Sequence, residues 1–366
     1  MLFLTGSLLN LIGTFTSNKF FKRLLTLTGI LILAWFAGTV SVDHSFDTGT
    51  YSGAYILNPD TAIFEPGYLN LTYWFYSHGF TYQQFRIITY FLFYLIFYFI
   101  IIHFSNNPNF FLFVYAFFPF LNDAIQVRNF FMLMFAGLSL IALEKKTFFR
   151  FSIAVLLIYI SSQFQTTGAM FYLLILLRAI PFEQVFKNAP RIIVLIAIFS
   201  GLLWITGSIN LVTRYFSNLS LLSDRDGISN ALTVYSSGTV NRYSLTIIFS
   251  YLLILFIAQS TLSELIEKHE LTSKYEVLYL MTLLGAIGIP AMFSSFAFER
   301  ILRNSIIFGI LIITDLKINK GLKKGMGVRY VLFGVALLLG IYAKGYLNNS
   351  EGMMGSYTLY MLHFIK

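Results

Sequence analysis

The sequence predicts an all-α, polytopic integral membrane protein folded as one membrane domain over residues 1–366. Three observations predict it. The chain is 57% hydrophobic and only 11% charged, whereas a soluble domain carries about 25% charged residues. It contains 41 Phe and 23 Tyr, more aromatic bulk than one water-soluble core needs. Its apolar residues gather into eleven segments separated by polar turns.

The segments fall at 24–42, 86–104, 109–122, 126–143, 149–165, 168–180, 192–208, 243–259, 276–293, 303–316 and 329–343. A straight span needs about 20 residues, so the third and sixth are expected to be broken or re-entrant. The first has a basic flank, "NKFFKR" (18–23), but no A-x-A site follows it, so it reads as a retained anchor. Residues 1–17 and the tail "SYTLYMLHFIK" are apolar but short, and are expected to lie at the interface.

Lys and Arg orient the chain. With 18–23 and the N-terminus in the cytoplasm, 16 of the 25 basic residues fall in inner turns. The net charge of +9 is thus a matter of topology, and nucleic acid need not be invoked. The outer face receives two larger loops, 43–85 and 209–242, and short turns at 122–126, 165–168 and 294–302. The chain has no cysteine, which excludes disulfides, thiol nucleophiles and Cys-based metal sites. The five histidines form no H-E-x-x-H, no Gly-rich phosphate loop precedes a helix, and no metal or cofactor is expected.

The polar residues concentrate on the predicted outer side. "NDAIQVRN" (122–129) places Asp123 and Arg128 at a turn between apolar helices, crowded by Asn122, Gln126 and Asn129. An Asp123–Arg128 pair is the plain structural reading, and a polar cavity the functional one. "FERILRN" (298–304) sets Glu299 and Arg303 four apart, in the favourable order for a helical ion pair. Arg300 is left without a local partner. "SDRDG" (223–227) has alternating acids that resemble metal or sugar-nucleotide motifs only weakly; Arg214 and Arg242 flank that loop. The first outer loop carries Asp47, Tyr51 and Glu65, a Pro66–Gly67 turn, and "YLNLTYWF", which suits a helix along an aromatic belt.

These stretches resemble a known family. "FDTGTY" after the first span, "FEPGYLNLTYWF" (64–75), "IQVRNFFMLMFAGLSLIALEKK" (125–146) and "FERILRNSIIF" are similar, in order and spacing, to motifs of the Wzy/EpsG-type polymerases of bacterial O-antigen, capsule and exopolysaccharide. The resemblance implies a GT-C-like architecture. It also implies glycosyl transfer at the outer face of the cytoplasmic membrane, from an undecaprenyl-pyrophosphate-linked oligosaccharide to a fresh lipid-linked repeat unit. Membrane lipid, a chain-length regulator and a flippase are the implied partners. Carried over, Asp47, Tyr51, Glu65, Arg128 and Arg300 match the family's motif positions. With Asp123 added from the polar turn, the catalytic candidates are Asp47, Glu65, Asp123, Arg128 and Arg300, with one carboxylate as base. Tyr51, Gln126, Gln165, Arg214, Arg242 and Arg303 are the substrate-binding candidates. Gln165 stands where family members often have a histidine. A flippase, a ligase or acyltransferase, and a pathway scaffold are the alternatives.

Overall fold

The computed structural model of the protein describes residues 2–42, 46–57, 60, 63–206, 242–294, 298–315 and 326–344. The expectations for 209–241, with Arg214 and the alternating acids, and for the C-terminal tail lie outside the described residues.

No strand occurs among the described residues. In hydrocarbon every backbone polar group needs an internal partner, and helices supply it. The order is α1 (Leu2–Phe15), α2 (Lys19–Gly38), α3 (Phe46–Gly53), α4 (Pro66–Ser77), α5 (Tyr82–Phe104), α6 (Pro108–Phe117), α7 (Phe120–Ile125) and α8 (Val127–Leu143). Next come α9 (Phe148–Phe164), a 3-10 turn (Thr166–Phe171), α10 (Tyr172–Ala179) and α11 (Phe182–Ile205). Then follow α12 (Arg242–Glu267), α13 (Ser273–Leu284), α14 (Gly288–Ser294), α15 (Glu299–Thr314) and α16 (Met326–Tyr342). Every one of the eleven predicted segments contains helix.

Among the described residues, five helices are long and apolar enough to cross a membrane, and six more apolar helices are shorter. The chain is a multi-pass membrane protein. Two predicted short spans are indeed interrupted: the third breaks at Phe118–Pro119 into α6 and α7, and the sixth opens as the 3-10 turn. The expectation that residues 1–17 lie flat at the interface is corrected. Phe3 of α1 packs on Phe36, near the end of α2, and on Phe120. Thr14 at the other end of α1 accepts through its carbonyl from Asn107 at 3.3 Å. α1 therefore runs antiparallel to α2, and its first residues lie at the end of the bundle away from Lys19–Arg23. Enough of its surface is apolar to be buried against α2 and α6, which an interfacial helix would leave in lipid.

Local signals start the helices. Asn18 caps α2 by accepting from the amides of Phe20 and Phe21 at 2.9 and 3.2 Å. Thr81 and Gln84 form a reciprocal capping box for α5. Proline occupies the first position of α4 and α6, where its missing N–H costs nothing.

Aromatic rings fill the middle. Phe93 of α5 stacks on Phe131 of α8 at 3.8 Å, and Phe135 on Phe164 of α9 at 5.5 Å. Lipid tails are as apolar as these rings, so dispersion and shape, more than water exclusion, hold such helices together. Polar contacts mark the two ends. At one end Lys274 donates to the His103 carbonyl, Arg178 donates to the Leu143 and Glu144 carbonyls, and Asp315 accepts from Asn106 and Tyr275. Lys19, Lys145, Lys187 and Lys268 belong to this same end by helix direction, so we name it the lysine-rich end. The other end carries the candidate residues.

Candidate functional site

The site end assembles from helix starts and helix ends. Arg86, one turn into α5, is fully buried and donates to the carbonyls of Ala37 and Ala124 at 2.5 and 2.9 Å. Tyr90 donates to the carbonyls of Asp123 and Ala124. Together they fix the end of α7 against the ends of α2 and α5. That places Gln126, the residue before α8, and Arg128, in its first turn.

Arg128 forms an ion pair with Glu65, the residue before α4. Its guanidinium lies over the rings of Phe64 at 4.2 Å and Tyr51 at 5.2 Å, both favourable faces for a cation. The other Glu65 oxygen accepts from the Thr166 amide and hydroxyl at 2.7 and 2.8 Å. Burial alone would raise the Glu65 carboxyl. The Arg128 charge and the Thr166 hydrogen bonds outweigh it and hold the group below its ordinary range. Gly67 makes this reach possible: a Cβ there would meet the Cβ and carbonyl oxygen of Gln163 at 2.7 Å. The "EPG" turn thus brings the start of α4 onto the end of α9, and only glycine allows so close an approach.

A second node lies on α15. Arg303 is buried and donates to Glu299 at 2.5 Å and to the Gln126 side chain at 2.5 Å. Beneath it, Asn129 and Asn304 exchange amide hydrogen bonds at 2.9 and 3.0 Å. These contacts lock the first turn of α8 to the second turn of α15, so Arg128 and Arg303 share one end of the bundle. Lys344, just beyond α16, donates to both Glu299 oxygens at 2.5 Å.

Several sequence expectations change. There is no Asp123–Arg128 pair. Asp123 is fully buried and accepts from the Tyr115 hydroxyl at 2.8 Å, while Glu65 orients Arg128. The short helix α7 turns Asp123 inward, which sequence adjacency conceals. The Glu299–Arg303 pair forms as the spacing suggests, but Arg303 is more than a local ion pair, since it also holds Gln126. Arg300 is half-buried and makes no hydrogen bond among the described residues. Asp47 is half-buried on α3, one turn before Tyr51 and on the same face. Gln165 closes α9; it is buried, and its side-chain oxygen has no partner among the described residues. Arg242 is exposed at the first position of α12.

Thr166, Arg86 and Lys344 escape the sequence reading. Thr166 and Arg86 give no signal beyond their place at a predicted outer end. Lys344 gives one: it is a charge that closes an apolar run.

The EpsG family model matches residues 19–361, from the start of α2 to beyond Lys344. The chain belongs to the EpsG family. No curated protein and no solved structure matches it. Membership supports a polysaccharide-polymerase type of role and glycosyltransferase-like chemistry for this EpsG protein.

Proposed function

We propose that this EpsG protein polymerises glycan by transferring a growing chain from undecaprenyl pyrophosphate to the free end of a lipid-linked repeat unit. The observation that carries the reading is the meeting of Arg128 and Arg303 at one end of a lipid-embedded bundle, joined through Gln126 and the Asn129–Asn304 pair. Guanidinium forks match phosphate oxygens bidentately. A polyprenyl donor requires a site beside the bilayer, and a pyrophosphate leaving group requires cations.

The reaction is a displacement at the anomeric carbon. The acceptor hydroxyl oxygen bonds to that carbon, and the carbon–oxygen bond to pyrophosphate breaks with its electron pair on the phosphate oxygen. Arg128 and Arg303 meet the charge that builds there, and preorganised donors of this kind contribute about 3–4 kcal/mol each. The hydroxyl proton goes to a carboxylate. Asp47 is the best-placed base: Glu65 is committed to Arg128 and Thr166, and Asp123 is sealed behind Tyr115. Tyr51 and Gln165 hold sugar hydroxyls, and Arg300 and Arg242 lie at the approach to the site. In this proposal the site end faces the exterior of the cytoplasmic membrane, the lysine-rich end faces the cytoplasm, and the architecture is GT-C-like.

The test is reconstitution. Purified protein given a defined lipid-linked repeat unit should build a ladder of products. Arg128→Lys should lower that rate by about two orders of magnitude, and Asp47→Asn should do nearly the same. A wild-type ladder from either variant removes that residue from the chemistry. No ladder from the wild type ends the reading.

A further inference from the structure

Lys344 is the one lysine among the described residues at the site end; the others stand at the lysine-rich end, where the distribution of basic residues in membrane proteins accounts for them. Topology therefore does not explain Lys344. It is buried, with its ammonium 5.0 Å from the Tyr243 ring centroid and hydrogen-bonded to both carboxylate oxygens of Glu299. Glu299 Oε1 is also the acceptor for Arg303, and Arg300 acts on the same carboxylate electrostatically. Asp123 is the other acid that feels Arg303, but its carboxylate is bonded to Tyr115.

Among the described residues, cations outnumber acids around Glu299. Arg128 is matched by Glu65. Arg300, Arg303 and Lys344 face Glu299 and the more distant Asp123. Arg86 has no carboxylate partner among the described residues. Among the described residues, several donors in this region have no acceptor: Arg303 Nε, Arg128 Nε, and Nε and Nη1 of Arg86. Buried cations in excess of their counter-ions are costly in a low-dielectric region. They are retained where they serve an anion.

We propose that Lys344 and Arg303 form a diphosphate-binding pair and that Glu299 is its exchangeable counter-ion. In the ligand-free protein Glu299 neutralises the pair. A diphosphate oxygen takes its place on Lys344 Nζ and Arg303 Nη1, while Gln126 keeps the other Arg303 nitrogen fixed. This rests on the polymerase reading and adds to it a third cation and a built-in competitor. The competitor matters for turnover: a carboxylate that returns to the two cations displaces the spent lipid diphosphate.

A purely structural ion pair and an exchangeable one differ in sign. Neutralising Glu299 in a structural pair weakens everything. In an exchangeable pair it removes the competitor. The experiment is thermal unfolding of the full-length protein in detergent, titrated with inorganic pyrophosphate against sulfate at matched ionic strength. Glu299→Gln should lower the melting temperature without ligand, yet bind pyrophosphate roughly tenfold tighter than wild type. Lys344→Met should bind it roughly tenfold weaker, and Lys344→Arg should stay close to wild type. The Glu299→Gln, Lys344→Met double variant should lose the gain. Equal or weaker pyrophosphate binding by Glu299→Gln overturns the exchange, and wild-type binding by Lys344→Met overturns the assignment of Lys344. If Glu299→Gln does not fold, the Lys344 pair of variants decides alone. A wild type that builds the polymer ladder while these results fail leaves the polymerase reading standing. A wild type that neither builds a ladder nor responds to pyrophosphate ends both.

Discussion

The two ends of the bundle use the same residue types for different ends. At the lysine-rich end Arg178 spends all three nitrogens within the protein: Nε on the Leu143 carbonyl at 2.8 Å, Nη2 on the Glu144 carbonyl at 3.1 Å, and Nη1 on Glu276. Those carbonyls are the unsatisfied groups of the α8 C-terminus, where a cation is favoured by the helix dipole. His103 pairs with Glu144 and Lys274 with the His103 carbonyl, so three helix ends are tied by their own residues. At the site end Arg128 sits in the first turn of α8, where a dipole disfavours a cation, and Arg303 one turn into α15. Each keeps a buried nitrogen without an acceptor among the described residues. Buried arginine alone therefore says little. Arg178, with all three nitrogens spent at a helix C-terminus, serves the fold; Arg128 and Arg303, each with a donor to spare, are the pair assigned to a ligand.

The sharpest break of that contrast is a matched pair of substitutions. Arg128→Lys should leave the protein folded and cost activity heavily. Arg178→Met should strand Glu276 and the α8 carbonyls and lower stability by about 3–5 kcal/mol, with activity per folded molecule close to wild type. Melting curves and product ladders on the same preparations check both. Loss of activity per folded molecule in Arg178→Met would erase the distinction.

A smaller effect is expected at Gly67. An alanine there would drive its Cβ into Gln163 and push Glu65 away from Thr166. We expect a stability loss of about 1–3 kcal/mol from overpacking and activity reduced by roughly tenfold, read by the same two assays. Unchanged activity would show that the Glu65 anchor does not set the position of Arg128.

The smallest effect concerns pH. The Glu65 carboxyl lies below its ordinary 4.5 in the folded protein. Its contribution to stability is therefore fully present above about pH 4.5 and fades as pH falls through the lower folded value. Melting curves of wild type and Glu65→Gln should converge on acidification below that range and differ by a constant amount above it. Curves that stay parallel throughout would contradict the linkage.

Much of this was legible in the sequence. The eleven apolar segments are helical because a backbone in hydrocarbon must satisfy its own hydrogen bonds, and Asn18, Thr81 and Pro108 mark where three of those helices start. The Glu299–Arg303 pair followed from spacing alone. What the sequence hides is pairing across chain distance. Glu65 and Arg128 are 63 residues apart, and their meeting depends on Gly67 packing on Gln163. Asp123 looked like the partner of Arg128 because it is near in the chain, but α7 rotates it inward. Arg86 and Lys344 lie at the edges of apolar runs, where a charge reads as an ordinary end marker until its burial is known. Residues 1–17 misled for a related reason: a 14-residue apolar helix is short for a span, and only the matching faces of α2 and α6 reveal that it packs within the bundle.

The most direct test of a diphosphate-gripping site end is the affinity of the detergent-solubilised protein for undecaprenyl pyrophosphate. We predict that Arg128→Lys and Arg303→Lys each weaken it by about tenfold or more, while Arg178→Lys at the other end leaves it unchanged. Equal affinities in all three variants, or a loss confined to Arg178→Lys, would contradict the account.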